Sequence, residues 1–320
     1  MIPSKDELTI CFAHVAYQLG PRFVARNRGI RYMQVSIYPE LEACIGSVDV
    51  LVISGLWRDE LLDRAGRLRF IQSIGAGTDQ FSHEPITSIR LASLRGVNAR
   101  AVSDHAMALI LALARKLPEA RDNQVRHLWR GMISDIDARE DELFRKALFV
   151  VGLGAIGSRL ARLTRAFEMR VCGFRKSVAL GKGDADCVHA TSELKSLVPD
   201  ADYLALTCPL TDETRYLVDR DLLTQMKTSA FLINVARGDC VDEAALVEAL
   251  GRGAIAGAAI DVTAQEPLPA ASPLWLLPNA LITPHTAGET RRYQDKLLDV
   301  MEDNLGRLWS GQADLRNQIL

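Results

Sequence analysis

The amino-acid sequence predicts an α/β fold in two domains, each built on a parallel sheet. Its 320 residues are enough for two domains with separate cores. Short apolar runs alternate with segments of helical periodicity along most of the chain, as in proteins whose parallel strands are connected by helices. One of these runs leads into a glycine-rich turn and then into a helical pattern, which marks the centre of the second domain.

The first domain is predicted to extend from the N-terminus to about residue 98. Its apolar runs predict five strands, at residues 8–12, 32–37, 48–53, 70–74 and 89–94. Ligands of such sheets bind beyond the carboxyl ends of the strands, so the loops at residues 54–57 and 75–79 are of interest. The Gly75-Ala-Gly77 segment is either a plain turn or a backbone concavity whose N–H groups hold a small anion such as a carboxylate.

The segment between the domains begins with a helical pattern over residues 101–117, which ends at Pro118. Within it, His105 is predicted to be a packed helix residue rather than a ligand. The charged segment 119–146 is predicted to be a loop, or an arm that wraps on a second subunit.

The second domain is predicted from a G-x-G-x-x-G turn made by Gly152, Gly154 and Gly157. The first glycine permits the tight turn, the second lets a pyrophosphate approach the backbone, and the third lets helix and strand pack closely. The N–H groups at the start of the following helix then face the phosphates. This arrangement predicts a dinucleotide site.

Further apolar runs complete six or seven strands, the number that a full dinucleotide-binding sheet requires. They lie at residues 148–151, 170–174, 203–206, 231–235, 256–260 and 281–283, and helical patterns lie at residues 219–226, 242–250 and 290–309. We therefore assign residues 1–98 and 287–320 to a discontinuous substrate domain and residues 99–286 to a dinucleotide-binding domain. A cleft is expected between them.

Composition excludes several classes of function. The formal net charge of −2 shows no basic excess, so nucleic acid is not an expected partner. The N-terminus is too polar for a signal peptide, and no apolar stretch approaches the roughly 20 residues that span a bilayer. The six scattered cysteines predict reduced thiols rather than disulfides or a metal site. We expect a soluble, cytoplasmic protein with no membrane partner.

The cofactor is predicted to be NADP in preference to NAD, with NAD possible. An NAD site places an acidic residue about 20 positions after the last glycine, and this sequence has Arg175, Lys176 and Ser177 in that region. Two cations and a hydroxyl suit a 2′-phosphate, because a guanidinium pairs with phosphate in bidentate fashion. The alternative is a solvated basic turn that stacks on adenine without choosing between the cofactors.

Three later stretches each contribute one ionisable side chain near a strand end: Arg237, Glu266 and His285. Taken singly, they could be a surface ion pair, an exposed loop acid and a capping residue. Together they could reduce a 2-oxo acid, a reaction that needs a cation on the carboxylate and carbonyl and a proton for the carbonyl oxygen. Arg237 would bind and polarise the substrate, His285 would act as general acid, and Glu266 would orient His285 and keep it protonated.

The chain resembles the D-isomer-specific 2-hydroxy acid dehydrogenase family over nearly its whole length. The resemblance lies in the glycine turns, the Arg-Gly, Glu-Pro-Leu-Pro and Pro-His-x-Ala-Gly stretches, Asn98-Ala-Arg-Ala-Val-Ser-Asp-His105 and the closing Leu315-Arg-Asn317. It implies a flavodoxin-like substrate domain with a Rossmann domain. It also implies a homodimer joined through the cofactor domains and the arm. Arg237, Glu266 and His285 match the family's catalytic triad.

The resemblance also implies which residues contact ligands. The backbone of Ile74, Gly75, Ala76 and Gly77 matches the loop that binds the substrate carboxylate. Independently of the resemblance, Leu56 and Trp57 are expected to line the substrate pocket, where a bulky ring would limit the length of the substrate. The alternative is that Trp57 is a packing residue at the domain surface. The expected cofactor contacts, with Pro209 near the adenosine and Asp261 near the nicotinamide amide, are Gly152, Gly154, Ala155, Ile156, Gly157, Arg175, Lys176, Ser177, Cys208, Pro209, Thr214, Val235, Ala236, Asp261, Val102, His285 and Ala287.

The expected function is an NADPH-preferring reduction of small 2-oxo acids, glyoxylate or hydroxypyruvate first, to D-2-hydroxy acids. Arg175 departs from the NAD-preferring members and looks like the NADPH-using glyoxylate and hydroxypyruvate reductases. Formate is set aside because formate dehydrogenases carry Gln where this chain has Glu266. The alternatives are a corepressor-like regulator that binds dinucleotide, or a dehydrogenase for phosphoglycerate or an aromatic 2-oxo acid.

Overall fold

The computed structural model describes residues 2–27, 29–78, 80–81 and 89–319, so Asp79 of the predicted loop lies outside the described residues. The chain forms two compact units. The first unit comprises residues 1–98 and 290–320, and the second unit comprises residues 99–289.

The described strands are β1 (Thr9–Ala13), β2 (Arg31–Val35), β3 (Val50–Ile53), β4 (Phe70–Ser73), β5 (Arg90–Ala92), β6 (Ala147–Val151), β7 (Arg170–Arg175), β8 (Cys187–Ala190), β9 (Tyr203–Leu206), β10 (Phe231–Asn234), β11 (Gly257–Ile260) and β12 (Ala280–Ile282). The described helices are α1 (Leu19–Arg26), α2 (Tyr38–Cys44), α3 (Ala99–Ala114), α4 (Leu117–Val125), α5 (Ala155–Arg165), α6 (Leu194–Leu197), α7 (Arg220–Gln225), α8 (Glu243–Gly251) and α9 (Tyr293–Trp309). Among the helices of the described residues, none is long and apolar enough to cross a membrane.

The first unit is built on a five-stranded parallel sheet with the order β2-β1-β3-β4-β5. This is the strand order of flavodoxin-like sheets. Strands β1, β3 and β4 are buried throughout, and one core on each face of the sheet covers them. The long helix α9 contributes Leu297, Leu298 and Met301 to one of these cores.

The second unit is built on a seven-stranded parallel sheet with the order β12-β11-β10-β9-β6-β7-β8. Counted from β6, the first six strands have the Rossmann order 3-2-1-4-5-6, and β12 extends the sheet at the far edge. Strands β6 and β9 lie at the point where the order reverses, which is where ligands of such sheets bind. The predicted fold class, a Rossmann-type unit with a flavodoxin-like unit, is confirmed.

Helix α4 and strand β8 differ from the sequence prediction. Helix α4 occupies the start of the segment predicted to be irregular, because Pro118 ends the α3 pattern but then lies in the first turn of a new helix, where its missing N–H costs nothing. Strand β8 was not predicted, since Cys187, Val188 and His189 are half-buried at the edge of the sheet and give only a short apolar signal.

The prediction that the cysteines are reduced is wrong for one pair. Cys172 of β7 and Cys187 of β8 form a disulfide. The two residues face each other directly in the register of these parallel strands. Because β8 is not evident in the sequence, neither is this juxtaposition.

Candidate active site

A cavity of about 490 Å³ lies at the carboxyl ends of β6, β7 and β9 in the second unit. It is lined by eight residues that the sequence assigned to the cofactor: Gly152, Gly154, Arg175, Lys176, Ser177, Cys208, Pro209 and Thr214. It is also lined by residues that the sequence did not single out: Val151, Leu153, Phe174, Leu180, Thr191, Thr211, Asp212 and Glu213. Four of them, Val151, Leu153, Phe174 and Glu213, are next to a predicted contact in the sequence, and that position is the only signal that could have identified them.

The three glycines have separate physical reasons to be glycine. Gly152 has a φ of +96°, and a Cβ there would lie 2.7 Å from the Cα of Cys208. A Cβ on Gly157 would overlap the carbonyl oxygen of Gly152 and lie 2.7 Å from the Oγ1 of Thr207. Around Gly154, by contrast, no heavy atom of the described chain beyond its immediate sequence neighbours lies within 4 Å of such a Cβ. The turn thus leaves space for a ligand at Gly154, which caps the N-terminus of α5, as a bound pyrophosphate requires.

The end of β7 carries the basic residues of the cavity. A guanidinium N–H of Arg175 donates to the carbonyl oxygen of Gly181 at 3.1 Å. The ammonium group of Lys176 pairs with Glu213, with 2.5 Å between Nζ and Oε1. The cavity therefore carries two cations at the end of β7, one of them already paired with a carboxylate. In Rossmann-type sites this strand end is the region that meets the ribose of the dinucleotide.

The other residues predicted to contact the cofactor are not part of this cavity lining. Ala155, Ile156 and Gly157 form the first turn of α5, next to the cavity. Val102, Val235, Ala236 and Ala287 are buried in the hydrophobic cores of the second unit.

Arg237, Glu266 and His285 follow the ends of three neighbouring strands of the second unit. Arg237 follows β10, Glu266 lies in the loop after β11, and His285 follows β12. Parallel pairing of β10 with β11 and of β11 with β12 brings these loops to one edge of the sheet. Three residues that are far apart in the sequence therefore follow strand ends at the same edge of one sheet.

Glu266 and His285 form a hydrogen-bonded ion pair, with 2.6 Å between Oε2 and Nδ1. This hydrogen bond raises the pKa of His285 above its ordinary value, against the opposing effect of burial. Burial alone would raise the pKa of Glu266, but the bond and charge of His285, the N–H of Thr263 and the charge of Arg237 lower it below its ordinary value. The pair thus favours a protonated imidazole whose Nε2 is not engaged by Glu266.

Arg237 is close enough to act electrostatically on both partners. Its charge lowers the pKa of Glu266 and also that of His285. Its guanidinium donates to the carbonyl oxygen of Ala236 at 2.7 Å, and its own carbonyl accepts from the amide of Asn234 at 2.9 Å. A Cβ on the next residue, Gly238, would overlap the backbone of Thr263, so the Arg-Gly sequence lets this loop pack against the loop that carries Glu266.

Asp261 organises the turn that holds His285. Its buried carboxylate accepts hydrogen bonds from the hydroxyl of Thr283 at 2.6 Å and from the N–H groups of Thr286 and Ala287, each at 3.0 Å. His285 itself has a left-handed φ of +53°, and its N–H donates to the carbonyl oxygen of Asp261 at 2.8 Å. The sequence assigned Asp261 to the nicotinamide and gave no sign of this scaffolding contact.

His105 of α3 joins the same network. Its Nε2 lies 3.0 Å from the Thr283 hydroxyl and 3.6 Å from a carboxylate oxygen of Asp261. It is therefore a helix residue, as predicted, and it also contacts Thr283 and Asp261, the side chains that hold the turn of His285.

The predicted carboxylate loop lies in the first unit, directly after β4. The N–H of Ile74 donates to the carbonyl oxygen of Ile53, and that of Gly75 lies 3.3 Å from the hydroxyl oxygen of Ser73. The carbonyl oxygen of Ile74 accepts from the hydroxyl of Tyr293 at 2.5 Å. Ile74 is thus tied into the sheet, and the loop proper is Gly75, Ala76 and Gly77.

Trp57 packs inside the first unit. It is 6% exposed, its ring lies 5.2 Å from that of Phe81, and its indole N–H donates to Asp59 at 2.8 Å. Leu56 is partly buried against the same core. The contacts of Trp57 are therefore those of a packing residue, the alternative given for it above.

Comparison with known proteins gives consistent matches. The model of the D-isomer specific 2-hydroxyacid dehydrogenase NAD binding domain matches residues 107–287. Glyoxylate/hydroxypyruvate reductase B of Pectobacterium carotovorum is 33% identical over 286 residues, 88% of each chain. D-3-phosphoglycerate dehydrogenase of Methanocaldococcus jannaschii is 33% identical over 85% of this chain, which spans 52% of that protein.

A solved structure matches over nearly the full length. NADPH-dependent glyoxylate/hydroxypyruvate reductase of Sinorhizobium meliloti, in complex with NADP and malonate, has a TM-score of 0.83 and 26% identity over 98% of this chain and 97% of that one. The cavity described above is consistent with a nicotinamide dinucleotide cofactor, as the matching NAD binding domain and the NADP complex from Sinorhizobium meliloti indicate. The chain is an NAD(P)-dependent oxidoreductase, and it belongs to the D-isomer specific 2-hydroxyacid dehydrogenase family.

Proposed function

We propose that this protein reduces small 2-oxo acids, glyoxylate and hydroxypyruvate first, to D-2-hydroxy acids with NADPH as the preferred reductant. The observation that carries the proposal is the pairing of His285 with Glu266 at 2.6 Å beside the charge of Arg237. These are a proton donor, the carboxylate that keeps it protonated, and a cation suited to a 2-oxo acid. The reductase names of several relatives favour the same substrates.

The proposed mechanism assigns one task to each side chain. Arg237 binds the substrate carboxylate and polarises the carbonyl, because a guanidinium matches carboxylate geometry. His285 donates its Nε2 proton to the carbonyl oxygen in reduction and takes it back in oxidation. Glu266 holds the imidazole by Nδ1 and stabilises its charged form. The dinucleotide, when bound, supplies the hydride.

The proposed substrate-domain role of the first unit rests on the backbone of Gly75, Ala76 and Gly77. Successive N–H groups in such a turn can hold a carboxylate. The N–H of Gly75 already donates to the hydroxyl oxygen of Ser73 at 3.3 Å. The N–H groups of Ala76 and Gly77 are therefore the proposed donors to the substrate carboxylate. Trp57 is not part of this proposal, because its ring is buried in a core of the first unit.

The proposed preference for NADPH rests on Arg175, Lys176 and Ser177 in the cavity lining. The relative from Sinorhizobium meliloti is named for NADPH and was solved with NADP. Glu213 neutralises Lys176 in the present arrangement, which leaves Arg175 as the main candidate for a 2′-phosphate.

The proposed assembly is a homodimer through the arm after α3. Large apolar side chains of this arm are exposed in the single chain: Val125, Leu128, Trp129, Met132 and Ile136. Both Trp129 and Met132 are 96% exposed, which is costly for a monomer and typical of a covered interface. The cytoplasmic location remains a prediction from the sequence.

A second candidate function is the oxidation of phosphoglycerate, favoured by the relative from Methanocaldococcus jannaschii. The same triad would serve both reactions, so substrate tests must separate them. A phosphoglycerate enzyme would use 3-phosphoglycerate far better than glycerate, the unphosphorylated product of hydroxypyruvate reduction.

The test follows the absorbance of NADPH and NADH with glyoxylate, hydroxypyruvate, pyruvate, phenylpyruvate and 3-phosphohydroxypyruvate. We expect the highest kcat/KM with NADPH and glyoxylate or hydroxypyruvate, and a drop in kcat of about 10²- to 10⁴-fold in His285→Ala. His127→Ala, an exposed histidine outside the triad and the cavity lining, serves as the matched control and should retain kcat. Dinucleotide binding without turnover of any of these acids would instead favour the corepressor-like alternative.

A further inference from the structure

The disulfide between Cys172 and Cys187 joins the two strands at the adenosine end of the cavity. Phe174 and Arg175, at the end of β7, line the cavity, as does Thr191 directly after β8. In the register of these strands Cys172 faces Cys187 and Arg175 faces Ala190. The covalent bond therefore lies three residues before Arg175 on one strand and four before Thr191 on the other.

The strand that carries Cys187 is otherwise weakly held. It is the edge strand of the sheet, paired only with β7 among the described strands, and all four of its residues are half-buried. Cys172, by contrast, is 8% exposed and belongs to a hydrophobic core. Reduction of the disulfide would thus remove a covalent link from the less buried of two strands that shape the nucleotide site.

The surroundings of the bond suit thiol–disulfide exchange. The Sγ atoms of Cys172 and Cys187 and a ring nitrogen of His189 all lie within 4.8 Å of one another. The Nδ1 of His189 also lies 3.6 Å from a carboxylate oxygen of Glu193. A histidine beside a cysteine sulfur can stabilise a thiolate when the imidazole takes up a proton, and the half-buried Cys187 can be approached from solvent.

We propose that Cys172 and Cys187 form a reversible thiol–disulfide switch, operated by small thiols and disulfides of the glutathione class, that sets the affinity of the nucleotide site. The disulfide form holds the ends of β7 and β8 in place and binds the dinucleotide more tightly than the dithiol form, because preorganised side chains lose less entropy on binding. The inference rests on the dinucleotide site of the proposed function, but not on its preference for NADPH or on its substrate.

The exchange balances without any other reactant. The thiolate of a small thiol attacks the Sγ of Cys187, forms a mixed disulfide and displaces Cys172 as a thiolate, which takes a proton from His189 or solvent. A second small thiolate attacks the small-thiol sulfur of the mixed disulfide and releases Cys187 as a thiolate, which is protonated in turn. Two small thiols are oxidised to one small disulfide, and one protein disulfide is reduced to two thiols. Oxidation of the protein is the reverse sequence.

The test measures the Kd of NADPH and of NADH by nicotinamide fluorescence on the full chain, equilibrated with reduced or with oxidised glutathione. Alkylation and mass spectrometry establish the state of each cysteine. We expect the disulfide form to bind the preferred nucleotide about 3- to 10-fold more tightly than the dithiol form. Because binding is measured, an enzyme inactive toward every 2-oxo acid would refute the proposed function and leave this test intact.

Two variants assign the effect. Cys187→Ser should bind with the same Kd in both conditions, equal to that of reduced wild type. Cys240→Ser is the matched control, because Cys240 contacts Cys208 of the cavity lining through a thiol hydrogen bond. It should keep the difference between the two conditions, and loss of that difference would transfer the effect to the Cys208–Cys240 pair and overturn the proposal.

Three other results would also overturn it. The first is an equal Kd in both conditions for both nucleotides in wild type. The second is alkylation of Cys172 and Cys187 under oxidising conditions, which would show that the disulfide does not form in solution. The third is binding of one equivalent of Zn²⁺ by the reduced chain, lost in His189→Ala, together with a nucleotide affinity that does not depend on glutathione. That result would assign the three residues to a metal.

Discussion

His285 and Glu266 show how one contact can set the pH range of a reaction. The imidazole is 49% exposed and the carboxylate 38% exposed, so water screens their attraction, yet their hydrogen bond is short and direct. It raises the pKa of His285. Together with the charges of His285 and Arg237 and the N–H of Thr263, it also lowers the pKa of Glu266 against the opposing effect of burial. The proton donor of the proposed reduction is therefore charged at a higher pH than a free histidine would be.

Replacement of Glu266 by Gln is expected to move the pH profile. Reduction needs the charged imidazole, so kcat/KM falls as the pH rises through the pKa of His285, which Glu266 holds above its ordinary value. In Glu266→Gln this falling limb should shift to lower pH, while oxidation of the hydroxy acid, which needs the neutral imidazole, should gain activity at lower pH. Profiles of both directions in wild type and variant check this, and an unmoved limb would contradict it.

Arg175 is expected to determine the preference for NADPH over NADH. Charge-assisted hydrogen bonds from one guanidinium to a phosphate are each worth about 1.5–3 kcal/mol, so Arg175→Ala should raise the KM for NADPH by about 10- to 100-fold. The KM for NADH should change little, since that cofactor has no 2′-phosphate. Arg170→Ala, at the exposed start of the same strand, is the matched control and should leave both values unchanged. Equal losses for both cofactors would mean that Arg175 does not read the phosphate.

At the scale of elements, the turn between β6 and α5 contains one glycine that is required by packing, Gly157, and one that borders open space, Gly154. A methyl group at Gly157 would overlap the Gly152 carbonyl, whereas one at Gly154 would meet open space. We expect Gly157→Ala to lower the free energy of unfolding by about 1–3 kcal/mol through overpacking. We expect Gly154→Ala to stay within about 0.5 kcal/mol of wild type but to lose about tenfold or more in NADPH affinity, because the methyl occupies the place of the pyrophosphate.

Urea denaturation and nucleotide titration of the two glycine variants measure these effects. Measuring both quantities on both variants separates the effect on stability from the effect on nucleotide binding within one turn. A stable Gly157→Ala, or an unchanged nucleotide affinity in Gly154→Ala, would each contradict the proposed packing of the turn.

The turn after β12 is expected to depend on Asp261. Its carboxylate bonds to Thr283, Thr286 and Ala287, so Asp261→Ala should lower the free energy of unfolding by about 3 kcal/mol and reduce kcat by displacing His285. Asp242→Ala, which removes only the N-cap of α8, should cost about 1 kcal/mol and leave kcat unchanged. Urea denaturation and initial rates measure both. If Asp261 served only to contact the cofactor, its loss would not change the free energy of unfolding.

At the scale of the whole molecule, the exposed arm is expected to hold two subunits together. Trp129→Glu should convert a dimer into a monomer in sedimentation experiments, because a charge replaces a large apolar contact in a buried interface. Trp275→Glu is the matched control, since Trp275 is also exposed, at 51%, but belongs to the segment between β11 and β12 and not to the arm. A wild-type monomer at micromolar concentration, or a dimeric Trp129→Glu, would contradict the proposed interface.

The two sheets show how much of the fold a sequence can reveal. The interior strands β1, β3, β4, β6 and β9 are fully buried, so their apolar runs are unambiguous. The edge strand β8 is half-buried and the helix α4 buries no side chain, so neither has a clear pattern. The missed disulfide follows from the missed strand, because the 15-residue separation of Cys172 and Cys187 means nothing until β7 and β8 are paired.

By itself, the sequence determined the fold class, the glycine turn and the identities of Arg237, Glu266 and His285 as candidates. Each of these depends on local patterns or on residue types that follow a strand. Only the tertiary structure decided which groups touch: the contact of Glu266 with His285, the support of that turn by Asp261, the burial of Trp57 and the link between Cys172 and Cys187. The physical reason is that strand order and register set these contacts, and both arise from packing between segments far apart in the chain.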